Sequence, residues 1–170
     1  MPLVALLAAA GLTACGGSED HNAADIAFAQ GMIPHHQQAL EMAGLVTAEA
    51  SEDVRDMATQ IQTAQQPEIE TLEGWLDEWD ADDDMGGMDH GDDHGQDGMV
   101  SESSMASLHK LSGAEFERRW LELMIKHHEG AIDAAVLEVR DGRNGEAVHL
   151  ANEIVDAQQA EIDTMKGLAP

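Results

Sequence analysis

The chain has 170 residues, 43% of them hydrophobic, enough for one ordinary domain with a real core. It carries 34 acidic against 8 basic side chains, a formal net charge of -26. That balance argues against nucleic acid as a partner and against electrostatic docking on an anionic bilayer, because phosphate is repelled rather than neutralised. A single cysteine rules out an internal disulfide, a four-cysteine zinc site and a cysteine-ligated iron–sulfur cluster.

Residues 3–14 read LVALLAAAGLTA, apolar and uncharged. The run is too short to span a bilayer and has the length of a signal-peptide core. It ends in Leu12-Thr13-Ala14-Cys15 followed by Gly16-Gly17-Ser18, which resembles the bacterial lipobox. Residues 1–14 are therefore expected to be a lipoprotein signal peptide, Cys15 the lipidated residue, and 15–21 a short tether, with the rest of the chain, 22–170, as the domain. No Lys or Arg precedes the apolar run.

After Cys15 the dominant signal is internal duplication. Met32-Ile33-Pro34-His35-His36-Gln37-Gln38-Ala39 matches Met124-Ile125-Lys126-His127-His128-Glu129-Gly130-Ala131 at an offset of 92. Downstream, Ile61 to Ile69 matches Ile154 to Ile162 at an offset of 93. Each unit is thus a pair of segments, and the pair occurs twice. All four segments show helical periodicity. In the first, Phe28, Met32, His35, Ala39, Met42 and Val46 form one row; Asn22 is a candidate cap, with Asp25 at the third helical position. Pro34 predicts a kink before the His pair or a helix that starts near it. The second segment runs from about Ser51 to Trp79. The third opens with Ser112-Gly113-Ala114-Glu115, which reads as a capping box. The fourth runs from about Gly145 to Met165, after the turn Asp141-Gly142-Arg143-Asn144-Gly145.

Between the halves, the stretch from Asp80 to about Ser104 is rich in Gly and Asp and has no apolar period, so it reads as a long flexible loop. Residues Met105 to Leu108 read as one short docking turn. The predicted fold is all-α: a four-helix bundle made of two repeated hairpins, 22–80 and 105–166, joined by an acidic Met/His-rich crossover loop, 81–104.

Two constellations carry possible chemistry. On a helix, Met32 shares a face with His35 and His36, as Met124 does with His127 and His128. Imidazole suits zinc, copper, iron and nickel, while thioether selects Cu(I), so the pairing points to copper. The loop adds Met85, Met88, His90, His94 and Met99, a flexible set able to wrap a soft ion. The plainer alternative is that the methionines fill the core and the histidines are satisfied by hydrogen bonds. The acidic residues read as mostly solvated faces. A ferritin-type di-iron centre is disfavoured, because Glu146-x-x-His149 has no duplicate. His21 and His109, near helix starts, are expected to be exposed. Gln65-Gln66 and Gln158-Gln159 occupy equivalent places; one member of each is a candidate hydrogen-bond partner for the His pairs, the other reading being surface helix formers. No nucleophile elbow or phosphate loop is present.

The string Asp25-x-x-Phe28-Ala29-Gln30-x-Met32-Ile33-Pro34-His35-His36-Gln37-Gln38-Ala39, with Phe116-x-x-x-x-Leu121-x-x-Met124-Ile125-x-His127-His128-x-Gly130-Ala131, resembles the domain-of-unknown-function 305 family over roughly residues 21–166. The resemblance implies a ferritin-like bundle that binds copper outside the cytoplasm, with Met32, His35, His36, Met124, His127 and His128 as ligands. Gly31, Leu123 and Ala134 stand where many members carry Met, whereas Met42 keeps the place equivalent to Ala134. The loop methionines offer a compensating set. The expected protein is a non-enzymatic, exported, membrane-anchored copper binder facing the periplasm or cell exterior. It would hold Cu(I) by preference and Cu(II) through His and carboxylate, for buffering, storage, tolerance or hand-over to a metal-exchange partner. The rival reading is a helical interaction module in which the His and Gln rows are structural.

Overall fold

A computed structural model describes residues 20–81 and 98–168. The signal segment, Cys15, Met85, Met88, His90 and His94 lie outside the described residues. Every regular element among the described residues is helical: α1 (Ala23–Gly44), α2 (Glu52–Glu78), α3 (Glu102–Leu108), α4 (Gly113–Asp141) and α5 (Gly145–Leu168). α1 packs on α2 and α4 on α5, and the two hairpins join chiefly through α1 and α4. The four long helices form the expected bundle, and α3 is a short addition against α4.

Local chemistry sets most of the helix ends. Asn22 caps α1 through a full capping box with Asp25. The Ser51 hydroxyl accepts from the Val54 N–H at the start of α2. Asn144 Oδ1 accepts from the amides of Glu146 and Ala147 at the start of α5. The capping box expected at Ser112 does not form: its side chain makes no cap bond. Gly113, the next residue, has a left-handed φ of +54°, outside the first-turn geometry that such a box needs. α1 does not start at Pro34 but runs through it. Proline has no amide hydrogen, so the helix lacks one rung immediately before the His pair. The short turn expected at Met105 is a longer helix that starts at Glu102, capped by Ser101, with Met105 and Leu108 buried.

The core divides in two. One apolar cluster holds Met42, Val54, Ile61, Trp120, Met124 and Ile162 among others. The second holds Phe28, Met32, Ile69, Leu72, Ala131 and Ile154 among others. α1 and α5 run from the second cluster to the first, and α2 and α4 run the other way. Trp120 fixes the contact between hairpins: it is fully buried, and its indole N–H donates to the Met42 carbonyl at 2.8 Å.

At the far end of the bundle, two buried carboxyl groups join α1 to α4. Asp25 Oδ1 accepts from the amides of Arg143 and Asn144, at 3.0 and 2.9 Å, tying α1 to the α4–α5 turn. Burial opposes the charged form of Asp25, but hydrogen bonds from Glu138 and from the backbone of Asn144, Asn22 and Arg143 outweigh it and hold the carboxyl below its ordinary value. Glu138 is only 2% exposed. Burial, the hydrogen bond to Asp25 and the charges of Asp25 and Asp141 push its carboxyl up to about 8. Glu138 therefore carries the shared proton at neutral pH. A Cβ at residue 142 would collide with this carboxyl, which explains Gly142 in the turn.

A raised carboxyl stabilises the fold below its unfolded value, and that contribution is lost as pH rises through the folded value. Glu138→Gln, which copies the protonated form, is expected to match the parent near pH 5 and to exceed it in urea-unfolding stability at pH 9. The gap is on the order of 1–4 kcal/mol, taking about 1.4 kcal/mol per pKa unit. A difference that does not change with pH would contradict the shared proton.

Candidate metal centre

The two apolar clusters are separated by a polar layer. His35 and His36 come from α1, His127 and His128 from α4, Gln65 from α2 and Gln158 from α5, all buried. The layer follows directly from the duplication, since the repeat places equivalent residues at the middle of antiparallel helices. His35 and His127 meet ring to ring in a tilted arrangement, with centroids 3.8 Å apart and 41° between the planes. His128 lies beside His127 at 6.2 Å. Burial, reinforced by the charges of His35, His128 and His36, holds the His127 imidazole well below its ordinary value of 6.5. Donation from the His127 ring to the His35 backbone carbonyl offsets part of this. His127 is consequently a neutral imidazole at physiological pH.

The outer two histidines have duplicated partners. His36 Nε2 lies 2.7 Å from Glu68 Oε2, and His128 Nε2 lies 2.7 Å from Glu161 Oε2. Both carboxylates sit at the rim, 19% and 16% exposed, while both rings are fully buried. The Nδ1 atoms of His36 and His128 have no hydrogen-bond partner among the described residues.

Met32 and Met124 lie one helical turn before their His pairs. Because α1 and α4 are antiparallel, they flank the layer from opposite sides, one in each apolar cluster. Met42 lies two turns beyond His35, within the first cluster and apart from the layer. Among the described residues no three His, Cys, Asp or Glu side chains converge with the geometry of a metal site. What the structure brings together is the His35–His127 imidazole pair, with Met32 and Met124 one helical turn away in the two apolar clusters.

Met99 is half-buried on the outer face of α4, in a depression shared with Leu123 and Lys126. Its neighbours are anchored beside the layer. Gly98, with φ +90°, packs so closely on α4 that a Cβ there would collide with the Cα of Gly130, and it also touches the His127 carbonyl. Val100 exchanges two hydrogen bonds with the Gln38 amide, at 2.7 and 2.9 Å. The last residues of the acidic crossover are thus fastened to the bundle next to the His pairs.

Sequence reasoning placed the four histidines but missed their partners. The Gln residues do not bond the His pairs: among the described residues neither polar atom of Gln65, nor Oε1 of Gln158, has a partner, and Gln66 and Gln159 are exposed. The carboxylates three residues further on take that place. The signal was present, because Glu68 and Glu161 belong to the same repeat as the glutamines. The Asp25–Glu138 pair had no such signal, since its two members belong to different repeat positions. His109 is exposed as expected, whereas His21 is half-buried and stacks on Trp79 with centroids 4.8 Å apart. His149 is exposed and pairs with Glu153 at 3.4 Å. Among the described residues no helix is long and apolar enough to cross a membrane.

The chain belongs to the DUF305 family, described as a domain of unknown function, whose model matches residues 25–169. A solved DUF305 protein from Streptomyces coelicolor, provisionally described as secreted, is 34% identical, covers 85% of this chain and 91% of its own, and superposes with a TM-score of 0.75. A DUF305 fragment from Deinococcus radiodurans is 30% identical over 87% of this chain and 96% of its own, with a TM-score of 0.74. CopM in its Cu(I)-bound form is 26% identical over 85% of this chain and 94% of its own, with a TM-score of 0.69. Its Cu(II)-bound form is 28% identical over 85% and 95%, with a TM-score of 0.72. No curated protein matches the chain.

The layer also makes a stability prediction. Gln65 buries an amide with both ends unpartnered among the described residues, at a desolvation cost of about 1–3 kcal/mol. Gln65→Met, close in volume, is expected to raise urea-unfolding stability by about 1–2 kcal/mol. Lower stability in this variant would show that the amide is satisfied in solution.

Proposed function

We propose that this protein binds copper in the layer between its two hairpins, outside the cytoplasm, and buffers, stores or hands on the ion. The observation that carries the proposal is the meeting of the duplicated motifs. His35 and His127 lie ring to ring, and Met32 and Met124 stand one turn away on either side. Two imidazoles and two thioethers in a dry layer suit Cu(I), whose closed d shell imposes little geometric demand and whose softness favours sulfur. Oxidation to Cu(II) shifts preference towards imidazole and carboxylate, which Glu68 and Glu161 offer beside His36 and His128. The copper-bound forms of CopM support the choice of metal.

Met85, Met88, His90, His94 and Met99 of the crossover segment are a second set of soft donors that collects the ion, and Met42 is a reserve thioether two turns from the layer. Cys15 anchors the mature chain through acyl groups, each buried CH2 contributing about 0.8 kcal/mol. The protein then faces the periplasm or cell exterior. The reading of the bundle as a structural interaction module draws on the His36–Glu68 and His128–Glu161 hydrogen bonds, which a purely structural network would also make.

A competitive Cu(I) titration separates the two. Replacing residues 82–97 by a Gly/Ser linker of the same length is expected to leave tight binding in place. His35→Leu with His127→Leu is expected to weaken it roughly a hundredfold or more, about 2.7 kcal/mol, while circular dichroism stays helical. Unchanged uptake in a folded double variant would favour the interaction module. For the anchor, Cys15→Ala is expected to move the protein from the membrane fraction to the soluble fraction, and an unaltered distribution would refute lipidation there.

A further inference from the structure

Among the described residues, His36 and His128 each hold a carboxylate at Nε2 and nothing at Nδ1. An ionised carboxylate only accepts, so the hydrogen of each 2.7 Å bond resides on Nε2. A ring whose one hydrogen is on Nε2 has its lone pair on Nδ1, directed away from the carboxylate. The same arrangement recurs at both ends of the duplicated site, from Glu68 on α2 and Glu161 on α5, three residues after the buried Gln65 and Gln158.

We propose that Glu68 and Glu161 are positioning residues that lock His36 and His128 as Nε2–H tautomers, so that Nδ1 is the nitrogen each ring presents to the metal. The proposal rests on the copper reading for its purpose, and its geometry stands without it. A carboxylate behind a ligating imidazole fixes the ring's orientation and raises its basicity, and removing such a partner typically costs about 10–100-fold in metal affinity. The rim position suits this role: the carboxylates stay partly hydrated while the rings they hold are dry. It also gives the bundle a division of labour. His35 and His127 contact each other, while His36 and His128 are each held from outside by the second helix of their own hairpin.

The test is long-range proton–nitrogen correlation NMR on protein labelled with 15N at histidine, first without metal and then with Ag(I), a diamagnetic stand-in for Cu(I). Without metal, His36 and His128 are expected to show the Nε2–H pattern. Glu68→Ala is expected to release His36 alone, and Glu161→Ala His128 alone. Glu68→Gln, which keeps an acceptor oxygen, is expected to preserve the pattern. With Ag(I), Nδ1 of each ring is expected to shift, and each alanine variant is expected to bind Cu(I) about 10–100-fold more weakly. Nδ1–H tautomers in the metal-free protein, or tautomers indifferent to the alanine variants, would overturn the proposal. So would an Ag(I) shift confined to Nε2. The expected tautomers with no metal response anywhere would sink the copper reading and leave the carboxylates as orienting groups of a structural network.

Discussion

The bundle is organised around a desolvation problem at its centre. Four imidazoles and two amides are buried between two apolar clusters, where an unpartnered polar group costs about 1–3 kcal/mol. The Glu68 and Glu161 bonds relieve part of that cost, and the neutral state of His127 avoids burying a charge. Among the described residues the rest is left standing, notably at Gln65 and at the Nδ1 atoms of His36 and His128. A core built for stability alone would fill this layer with aliphatic side chains. Orphaned nitrogens flanked by thioethers have a use if an ion completes them, and metal binding then adds to folding free energy. The two clusters on either side, pinned by Trp120 and by the Asp25–Glu138 pair, provide the stability that tolerates such a layer.

Duplication is the device that assembles the site. A single hairpin brings one Met and two His to one helix face. Stacking two hairpins with antiparallel central helices brings both sets to the same level, with the thioethers on opposite sides. The matching 2.7 Å His–Glu distances in the two halves are the imprint of that symmetry. Departures from it are equally informative. α1 carries a proline before its His pair where α4 has Lys126, and among the described residues only the second half has a leading helix, α3, which follows the end of the crossover that is fastened beside the candidate site.

Much of this architecture was legible in the sequence because it depends on periodicity. The spacing of Phe28, Met32, His35 and Ala39, and the offset between the halves, suffices for the helices, their pairing and the mid-bundle position of the histidines. What periodicity does not encode is which polar atom meets which. Gln65 and Glu68 are one turn apart on the same helix, and a small rotation decides which reaches His36. Ser112 has the right residues for a cap, yet the left-handed Gly113 changes the local path. The Asp25–Glu138 contact joins residues 113 positions apart with no motif to link them. Gly98, legible only as loop composition, turned out to be a close-packing residue against Gly130.

The most direct test of the account is anomalous diffraction at the copper edge from crystals of the Cu(I)-loaded protein. The account places a peak in the layer between α1 and α4, within bonding distance of imidazole nitrogen from both helices and of at least one of the Met32 and Met124 sulfurs. A peak bound only by exposed side chains, or a loaded bundle whose layer holds no metal, would contradict it.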